Sequence, residues 1–594
     1  MKKFWIVLAV VVVALAAVLS QTAWVKYERV VCDIMMRDSV TLHTTIYKPR
    51  WGSNHPILVQ RTPYSSAPYG DGVPRFMVTS YRMRNFVNRG YIIVYQDVRG
   101  RFMSQGEFEN IRPASAVVNE ATDAYDTVEW LVNNVEGNNG KVGFLGCSYP
   151  GFYAMYAGVD AHPAVKAVAP QAPVTDWFMG DDVHNNGVMM ISDAFNLLPM
   201  LSHTNHQPTT EWEPTRNHNM EPDRFNYFIR ATRDSLRSVM HPSSFWDAMS
   251  SHPDYDEWWQ ERDVRRYLYN IKPAVLVVGG TFDAEDCYGA WNTFKAICSQ
   301  SPQTPCRLVM GPWAHGAWNG RNAERLGDFD FGSEASGRYY HYNFELPFFE
   351  YYLRGEGSLE SLPQVSLFLS GSNEWYTTNS WQLAETEALS YYLDGESLTT
   401  TTPAVENYRC YTSDPDNPVP YDSVTDYRRR EYMLANQDFT DGRKDVLCYT
   451  TEPLAADLTF IGEVEASLDV AISTTDADFV VRVIDVFPSD DAQKPDYQML
   501  VRAEPMRARY RHSFSTPTPM VPNEKTTIRY TLPGIAHTFK AGHCIKVCVQ
   551  SSWFPLAEFS PQQFVNLWEC SSADFISADI DVYNSSKITF KQVR

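Results

Sequence analysis

The ten residues GFLGCSYPGF, from Gly143 to Phe152, place a serine between a short apolar run and a run of small residues. The segment KVGFL before the serine is typical of a buried strand, and GFYAMYAG after it is typical of a helix. Ser148 would therefore lie on a tight strand-to-helix turn, with Gly146 and Gly151 keeping side chains out of it. Two interpretations are open: a nucleophile on a sharp turn, or an ordinary glycine-rich connection.

Strand-like and helix-like segments alternate around this turn, from about residue 21 to residue 175. The helical spacing is in EATDAYDTVEWLVNN, and the strand-like segments are TLHTTIYKP, HPILVQRTPY, GYIIVYQDVRG and AVKAVAPQAP. Strands that alternate with helices predict a mostly parallel α/β sheet.

The alternation stops in residues 176–270, which are rich in Met, Trp and His and have little strand signal. We interpret this segment as a helical insertion. Residues 271–358 restore buried strands in PAVLVVGGTFD and CRLVMGPWAH, followed by a helix that ends at Gly355. Residues 359–594 are strand-rich with closely spaced turn residues, which predicts an all-β sandwich or jelly roll.

Composition excludes one class of partner. The net charge is −20 and no basic run stands out, so nucleic acid is not an expected partner. An acidic surface mainly confers solubility. The aromatic content of 14% is consistent with an aromatic-lined pocket or with a large β-domain core.

The N-terminus has the pattern of a signal peptide, residues 1–20. A basic start precedes the apolar run of 16 residues from Phe4 to Leu19. This run is shorter than the roughly 20 residues that span a bilayer. The sequence therefore predicts a periplasmic or secreted protein, and an uncleaved N-terminal anchor is the alternative.

Export permits disulfides, but ten cysteines in 594 residues do not form a disulfide framework. We expect mostly buried free thiols, with Cys298–Cys306 as the pair to be bridged. No His/Cys spacing suggests a metal ligand set, and no motif suggests an organic cofactor, so none is expected.

A serine nucleophile needs a histidine base and a carboxylate that orients it. In α/β hydrolases these follow in the order Ser, Asp, His. Asp283 follows one buried strand and His315 follows the next, at the ends where open α/β sheets place their sites. The alternatives are a helix N-cap for Asp283, with Asp286 as the acid, and a loop role for His315.

Six segments, in order, resemble the motifs of one family, that of cocaine esterase and the X-Pro dipeptidyl-peptidases (S15-type serine hydrolases). They are RTPY, QDVRGRFMSQGEF, EATDAYDTVEWL, NNGKVGFLGCSYPGF, GGTFDAEDCYGAW and GPWAHG. The resemblance covers nearly the whole chain after the leader and is closest to the branch of α-amino acid ester hydrolases and glutaryl-cephalosporin acylases. It implies an α/β hydrolase with a helical cap insertion and a C-terminal all-β jelly roll.

The resemblance also implies roles for residues. Ser148 would be the nucleophile, His315 the general base and acid, and Asp283 the group that orients His315. The phenol of Tyr64 and the backbone N–H of Tyr149 would bind the oxyanion.

In the amino acid ester hydrolases, carboxylates near the cap hold the α-ammonium group of the substrate. The segments DWFMGDD and HPDYDEWWQERD offer candidates for this role, with helix caps and surface acids as the alternative. The candidate substrate-binding residues are Asp181, Asp182, Asp254, Asp256, Glu257, Trp177 and Trp258.

The expected function is an exported serine hydrolase that cleaves esters or amides through an acyl-enzyme, on a small-molecule or short-peptide substrate. The acyl group would carry an α-amino group, as for an α-amino acid ester hydrolase or an X-Pro dipeptidyl-peptidase. The alternatives are a general carboxylesterase or glutaryl-type acylase without amine recognition, and a binding protein on an inactive hydrolase scaffold. The resemblance leaves a homo-oligomer open.

Overall fold

The computed structural model describes residues 27–70, 81–201, 204–205, 207–212, 223–240 and 243–594. The predicted signal peptide, residues 1–20, lies outside these ranges. Within them, no helix is both long enough and apolar enough to span a bilayer.

A sheet of ten strands forms the centre of the first part of the described chain, in the order β1-β2-β4-β3-β5-β6-β9-β10-β13-β14. The seven strands from β4 to β13 in that order run parallel, and the outer strands pair antiparallel. Two short ribbons, β7–β8 and β11–β12, lie outside the sheet. The bounds are β1 (Tyr27–Met35), β2 (Thr41–Pro49), β3 (His55–Thr62), β4 (Ile92–Asp97), β5 (Asn138–Ser148), β6 (Val165–Pro173), β7 (His184–Asn185), β8 (Val188–Met189), β9 (Ala274–Gly280), β10 (Cys306–Gly311), β11 (Arg325–Leu326), β12 (Phe329–Asp330), β13 (Val365–Leu369) and β14 (Glu374–Thr378).

The central strands are buried on both faces, as their continuous apolar sequences predict. Every residue of β9, AVLVVGG, is buried. The predicted α/β-hydrolase fold with a mostly parallel sheet is therefore confirmed.

Helices cover the sheet and build the insertion between β6 and β9. Helix α2 begins at a capping box on Asn119, and the last helical stretch ends at Gly355, whose φ of 74° is left-handed, as the sequence predicts. The helices are α1 (Tyr81–Asn88), α2 (Glu120–Asn134), α3 (Tyr149–Tyr156), α4 (Ile191–Met200), α5 (Arg224–Phe228), α6 (Arg233–Met240), α7 (Ser244–Ser251), α8 (Glu257–Gln260), α9 (Cys287–Gln300), α10 (Gly337–Tyr340) and α11 (Leu346–Phe349), with π-helical segments at His341–Glu345 and Glu350–Arg354.

The insertion leaves the sheet after β6 and returns at β9. Its described residues include the helices α4 to α8, as predicted, and also the ribbon β7–β8, which was not predicted. These ribbon strands are two residues long, too short to give a strand pattern in the sequence.

The C-terminal part is all-β, which confirms that prediction, whereas the jelly-roll topology stays a prediction. Its described strands form one sheet of eleven. The sheet boundary differs from the expected start at residue 359, because β13 pairs with β10 and β14 pairs with β13 in the first sheet. The strands are β15 (Thr386–Asp394), β16 (Ser397–Thr399), β17 (Tyr408–Ser413), β18 (Leu447–Thr450), β19 (Leu458–Ile472), β20 (Asp478–Val486), β21 (Gln498–Arg507), β22 (Thr526–Phe539), β23 (Cys544–Gln550), β24 (Ala578–Tyr583) and β25 (Lys587–Val593).

The expected disulfide Cys298–Cys306 is absent from the structure. Both residues are buried free thiols, one near the end of α9 and the other at the start of β10. Burial and a hydrogen bond with Cys298 raise the pKa of the Cys306 thiol. The two sulfurs therefore meet as a thiol pair without a covalent bond.

A buried ionic cluster joins the insertion to the C-terminal domain. Glu558 Oε1 accepts hydrogen bonds from Arg233 of α6 at 2.7 Å and from Arg507 of β21 at 2.8 Å. Burial acts to raise the pKa of Glu558, but the two guanidinium groups outweigh it and hold this pKa well below its usual value. The carboxylate therefore stabilises the contact between the two parts as long as it is ionised.

The variant Glu558→Gln leaves two buried arginines without their shared counter-charge. We expect it to lower the free energy of unfolding by about 3–5 kcal/mol at pH 7, measured by urea unfolding. Because the folded-state pKa is lowered, this stabilisation is present above the ordinary Glu pKa of about 4.3 and disappears as the pH falls below it. The difference from wild type should therefore shrink in acid.

The control is Glu387→Gln, which removes an exposed ion pair with Arg594 and should cost about 1 kcal/mol or less. Equal effects of the two substitutions would contradict a stabilising role for the buried cluster.

Candidate active site

Ser148 lies on the turn between β5 and α3. Its backbone has φ 68° and ψ −133°, a conformation that non-glycine residues rarely adopt and that stores strain at functional sites. A Cβ at Gly146 would lie 2.1 Å from the backbone oxygen of Pro150, and one at Gly151 would lie 2.5 Å from that of Gln171. Both glycines are therefore required by close backbone approach, as expected.

Asp283 and His315 follow β9 and β10 and meet at the same edge of the sheet. His315 Nδ1 lies 2.9 Å from Asp283 Oδ2 and 3.1 Å from Oδ1. Asp283 Oδ1 also accepts the backbone N–H groups of Glu285 and Asp286 at 2.9 and 3.0 Å. These bonds fix the carboxylate, and through it the orientation of the imidazole ring.

The pKa values of this pair move apart. Burial acts to raise the pKa of Asp283, but the charge and hydrogen bond of His315 outweigh it and lower this pKa. For His315, burial disfavours the imidazolium, but Asp283 and Glu285 outweigh it and raise the pKa well above its ordinary value. Each group therefore stabilises the charged form of the other.

Tyr64 and Tyr149 lie beside the serine. The Tyr64 side chain is hydrogen-bonded to Ser148, while burial and the charge of Asp182 raise the pKa of the phenol well above its ordinary value. The phenol is therefore neutral at physiological pH and keeps a proton to donate. Tyr149 is the first residue of α3, where backbone N–H groups have no partner inside the helix.

Among the predicted carboxylates, Asp182 lies in the electrostatic neighbourhood of His315. Its Oδ2 accepts a hydrogen bond from Trp177 Nε1 at 3.0 Å. Burial and then the charge of Glu285 raise the pKa of Asp182 to about 7, with His315 opposing. Trp177 is fully buried and packs against Tyr149 with a centroid distance of 5.7 Å, so it orients Asp182 behind the serine turn.

Asp181 has a structural role instead. Its carboxylate accepts three backbone N–H groups, from Thr175 at 2.8 Å, Asp176 at 3.1 Å and Gly289 at 2.7 Å. These bonds pin the loop after β6 to the start of α9. The prediction that Asp181 contacts the substrate therefore finds no support in its contacts.

The other predicted carboxylates contact neighbouring protein side chains. Asp254 accepts the phenol of Tyr510 at 2.9 Å. Asp256 caps α8 and bonds to His252 at 2.6 Å. Glu257 is mostly exposed and pairs with Arg266 at 3.0 Å.

Trp258 stacks on His252 with a centroid distance of 4.8 Å, and the guanidinium of Arg262 covers its ring at 4.0 Å. Asp256, Glu257 and Trp258 therefore contact residues of the insertion, as the alternative interpretation expects, whereas Asp254 contacts the C-terminal domain through Tyr510.

The structure adds three residues that sequence reasoning did not assign. Glu285 Oε2 lies 3.3 Å from His315 Nε2, and Glu285 Oε1 accepts a hydrogen bond from Arg428 at 3.0 Å. Arg428 Nε also lies 2.8 Å from Asp193 of α4. The sequence could have indicated Glu285, since it follows Asp283 by two residues. It could not have indicated Arg428, because this residue comes from a loop of the C-terminal domain.

Asp286 is the competing acid of the sequence analysis. It is fully buried and its Oδ2 is 3.8 Å from His315 Nδ1, farther than Asp283. No hydrogen bond to either oxygen is found among the described residues. Burial and the charges of Asp182 and Asp181 raise the pKa of Asp286 well above its usual value. Asp283 is therefore the partner of His315, and Asp286 is a buried carboxyl group farther from the ring.

A serine on a strained turn of a parallel sheet, with an Asp–His pair after later strands, defines a serine hydrolase of the α/β-hydrolase class. The family model described as X-Pro dipeptidyl-peptidase (S15 family) matches residues 38–317. The model of the X-Pro dipeptidyl-peptidase C-terminal non-catalytic domain matches residues 357–565. The chain belongs to the S15 family of serine hydrolases, together with cocaine esterase.

Three relatives illustrate the range of the family. The chain is 28% identical to cocaine esterase from Rhodococcus sp. (strain MB1 Bresler), over 88% of this chain and 90% of that protein. It resembles the crystal structure of an aminopeptidase from a marine sediment Thaumarchaeota archaeon, with TM-score 0.89, 31% identity and coverage of 96% and 97%. It resembles an α-amino acid ester hydrolase structure with TM-score 0.88, 32% identity and the same coverage.

The variant Gly146→Ala tests whether the serine turn has room for a side chain at this position. The new methyl group would overlap the Pro150 carbonyl, so the turn must shift and Ser148 must move. Displacement of a reacting group by about 1 Å costs ~10²-fold in rate, and we expect at least this loss in kcat for any hydrolysed ester. The control is Gly320→Ala, whose Cβ would be 3.4 Å from its nearest neighbour and should leave kcat unchanged. Full activity of Gly146→Ala would contradict the tight turn.

Proposed function

We propose that the chain hydrolyses esters or amides whose acyl part carries an α-amino group, through an acyl-enzyme on Ser148. The observation that supports this most is the convergence of Asp182 and Glu285 on the His315 side of the serine turn. Carboxylates in a buried setting select a substrate ammonium, because an analogue without it leaves them unpaired.

In this mechanism Ser148 Oγ attacks the carbonyl carbon while His315 Nε2 accepts the hydroxyl proton. Asp283, bonded to Nδ1, stabilises the imidazolium that forms. The carbonyl π electrons move to oxygen, and the Tyr64 phenol and the Tyr149 backbone N–H donate to this oxyanion. Collapse expels the alcohol or amine, which takes the proton from His315. Water then repeats these steps on the acyl-enzyme and releases the acid.

The charges of the pocket suit a single ammonium group. Arg428 pairs with Asp193 and Glu285, so its guanidinium group offsets part of the negative charge of these carboxylates. Among the described residues, Asp182 has only the indole N–H of Trp177 as a hydrogen-bond donor, and its raised pKa reflects burial and the nearby charge of Glu285. A bound ammonium group would stabilise the ionised form of Asp182.

A glutaryl-type acylase is the second candidate, and one observation favours it. Arg224 is fully buried, and none of its nitrogens has a hydrogen-bond partner among the described residues. Burial lowers its pKa. Arg224 also lies in the electrostatic neighbourhood of Asp193 and Arg428, where a substrate carboxylate could satisfy it.

We also propose that the protein is exported. The support is the basic start and the apolar run Phe4–Leu19, which lie outside the described residues. Edman sequencing of protein secreted by an expressing cell should begin near residue 21, and a start at Met1 would contradict cleavage.

Amine selection can be measured with two esters that differ by one group, phenylglycine methyl ester and phenylacetate methyl ester. We expect kcat/KM to favour the amino ester by about 10²-fold or more, as for a desolvated charge pair. Ser148→Ala should abolish both activities, and Asp182→Asn should reduce only the preference. Equal rates on the two esters in wild type would favour the general esterase, and glutaryl anilide would test the acylase.

The oxyanion role of Tyr64 predicts that Tyr64→Phe lowers kcat by ~10²–10³-fold with little change in KM. The control is Tyr69→Phe, in the same loop, which removes a hydrogen bond to Asp97 and should leave kcat close to wild type. A Tyr64→Phe enzyme with normal kcat would remove Tyr64 from the mechanism.

A further inference from the structure

The imidazole of His315 has a carboxylate at each nitrogen. Asp283 lies 2.9 Å from Nδ1 and Glu285 lies 3.3 Å from Nε2. A neutral imidazole has one N–H, whereas the imidazolium has two. Carboxylates at both nitrogens favour the doubly protonated ring, and in that form Nε2 cannot accept the proton of Ser148.

The two carboxylates differ in accessibility. Asp283 is fully buried, whereas 26% of the Glu285 side chain and 20% of the His315 side chain are exposed. The Glu285 contact can therefore exchange partners with a bound molecule, and the Asp283 contact cannot.

Glu285 is held from its other side by the C-terminal domain. Its Oε1 accepts the hydrogen bond from Arg428, and Arg428 is anchored in turn by Asp193. Arg428 is itself largely buried. The Glu285 carboxylate therefore contacts two groups that can be cationic. Arg428 is always charged, whereas the charge of His315 depends on pH.

We propose that Glu285 couples amine recognition to the release of the catalytic base, an inference that rests on the proposed function. In the free enzyme Glu285 Oε2 pairs with His315 Nε2–H. The α-ammonium group of the substrate replaces His315 at Oε2 and donates an N–H to it. His315 then loses its Nε2 proton to water, and the free lone pair at Nε2 accepts the proton of Ser148.

The charged and titratable groups around His315 determine in which direction its protonation equilibrium moves when the substrate takes Glu285. Asp283, Glu285 and Asp286 come from the loop after β9, Asp182 from the loop after β6, and Cys147 from β5. Asp193 of α4 is the other carboxylate in this neighbourhood, and Arg428 is the cation paired with it. Taking the Glu285 charge away from the ring leaves fewer charges that favour the imidazolium, so the neutral base persists to lower pH.

When the substrate has no amino group, Glu285 stays paired with His315. The fraction of neutral base then stays low, and hydrolysis is slow even when the site is saturated. The coupling therefore predicts that the amino group raises kcat as well as lowering KM, whereas simple binding would change KM alone.

The test is Glu285→Gln, which keeps the length of the side chain and an oxygen for Arg428. At pH 6 we expect hydrolysis of phenylacetate methyl ester to become about 10-fold faster, with the acid limb of kcat/KM shifted about one unit lower. Hydrolysis of phenylglycine methyl ester should fall by about 10²-fold. A gain on one ester with a loss on the other is not what structural damage produces.

Arg428 provides the matched variants. Arg428→Gln should leave Glu285 entirely to His315, so the acid limb for the phenylacetate ester should move to higher pH. Arg428→Lys keeps the positive charge but not the guanidinium fork, so its acid limb should lie closer to wild type than that of Arg428→Gln. Circular dichroism and thermal unfolding check that each variant is folded.

A second measurement needs no variant. Methylammonium chloride added to wild type at pH 6 should accelerate hydrolysis of the phenylacetate ester, and sodium chloride at equal ionic strength should not.

Two outcomes separate the inference from the function on which it rests. If wild type does not prefer the amino ester, the proposed function fails. If it does, but Glu285→Gln leaves the acid limb in place and methylammonium has no effect, only the coupling is overturned.

Discussion

Buried negative charge at one edge of the sheet is the constraint on which this site depends. Loops that follow parallel strands end at the same edge, and here they bring Asp182, Asp283, Glu285 and Asp286 around one imidazole. Carboxylates so close in a poorly hydrated space cannot all be ionised without cations. The protein meets this constraint with His315, whose pKa is raised, with the cation of Arg428, and with the raised pKa values of Asp182 and Asp286.

The C-terminal domain is therefore part of the electrostatics of the site. The family model calls it non-catalytic, and no residue of it lies in the proposed nucleophilic machinery. Yet Arg428 from this domain fixes Glu285 and Asp193, and Glu558, which also binds Arg507 of the same domain, joins it to the insertion through Arg233. Docking of the β-domain thus supplies a positive charge to the site from outside the α/β domain, and any loosening of that contact would change the pocket.

Local backbone chemistry explains which site residues could be found from the sequence. Ser148 is marked by glycines that the turn cannot replace, and Asp283 and His315 are marked by the apolar strands directly before them. Glu285 was visible in the same segment as Asp283, but its contact with His315 depends on side-chain direction. The local pattern of Asp256 could not decide its role, because an acid at a helix start looks the same in sequence whether it caps the helix or binds a ligand.

The sequence by itself determined the alternation of strands and helices in the α/β part, the serine turn, and the family, because these depend on local periodicity, on glycine positions and on short motifs. It also determined the all-β character of the C-terminal part. Only the tertiary structure decided which carboxylates meet His315, that the Cys298 and Cys306 thiols meet without a bond, and that Arg428 enters the site. These contacts join segments more than a hundred residues apart or depend on side-chain geometry, and no local pattern encodes the distance between two side chains.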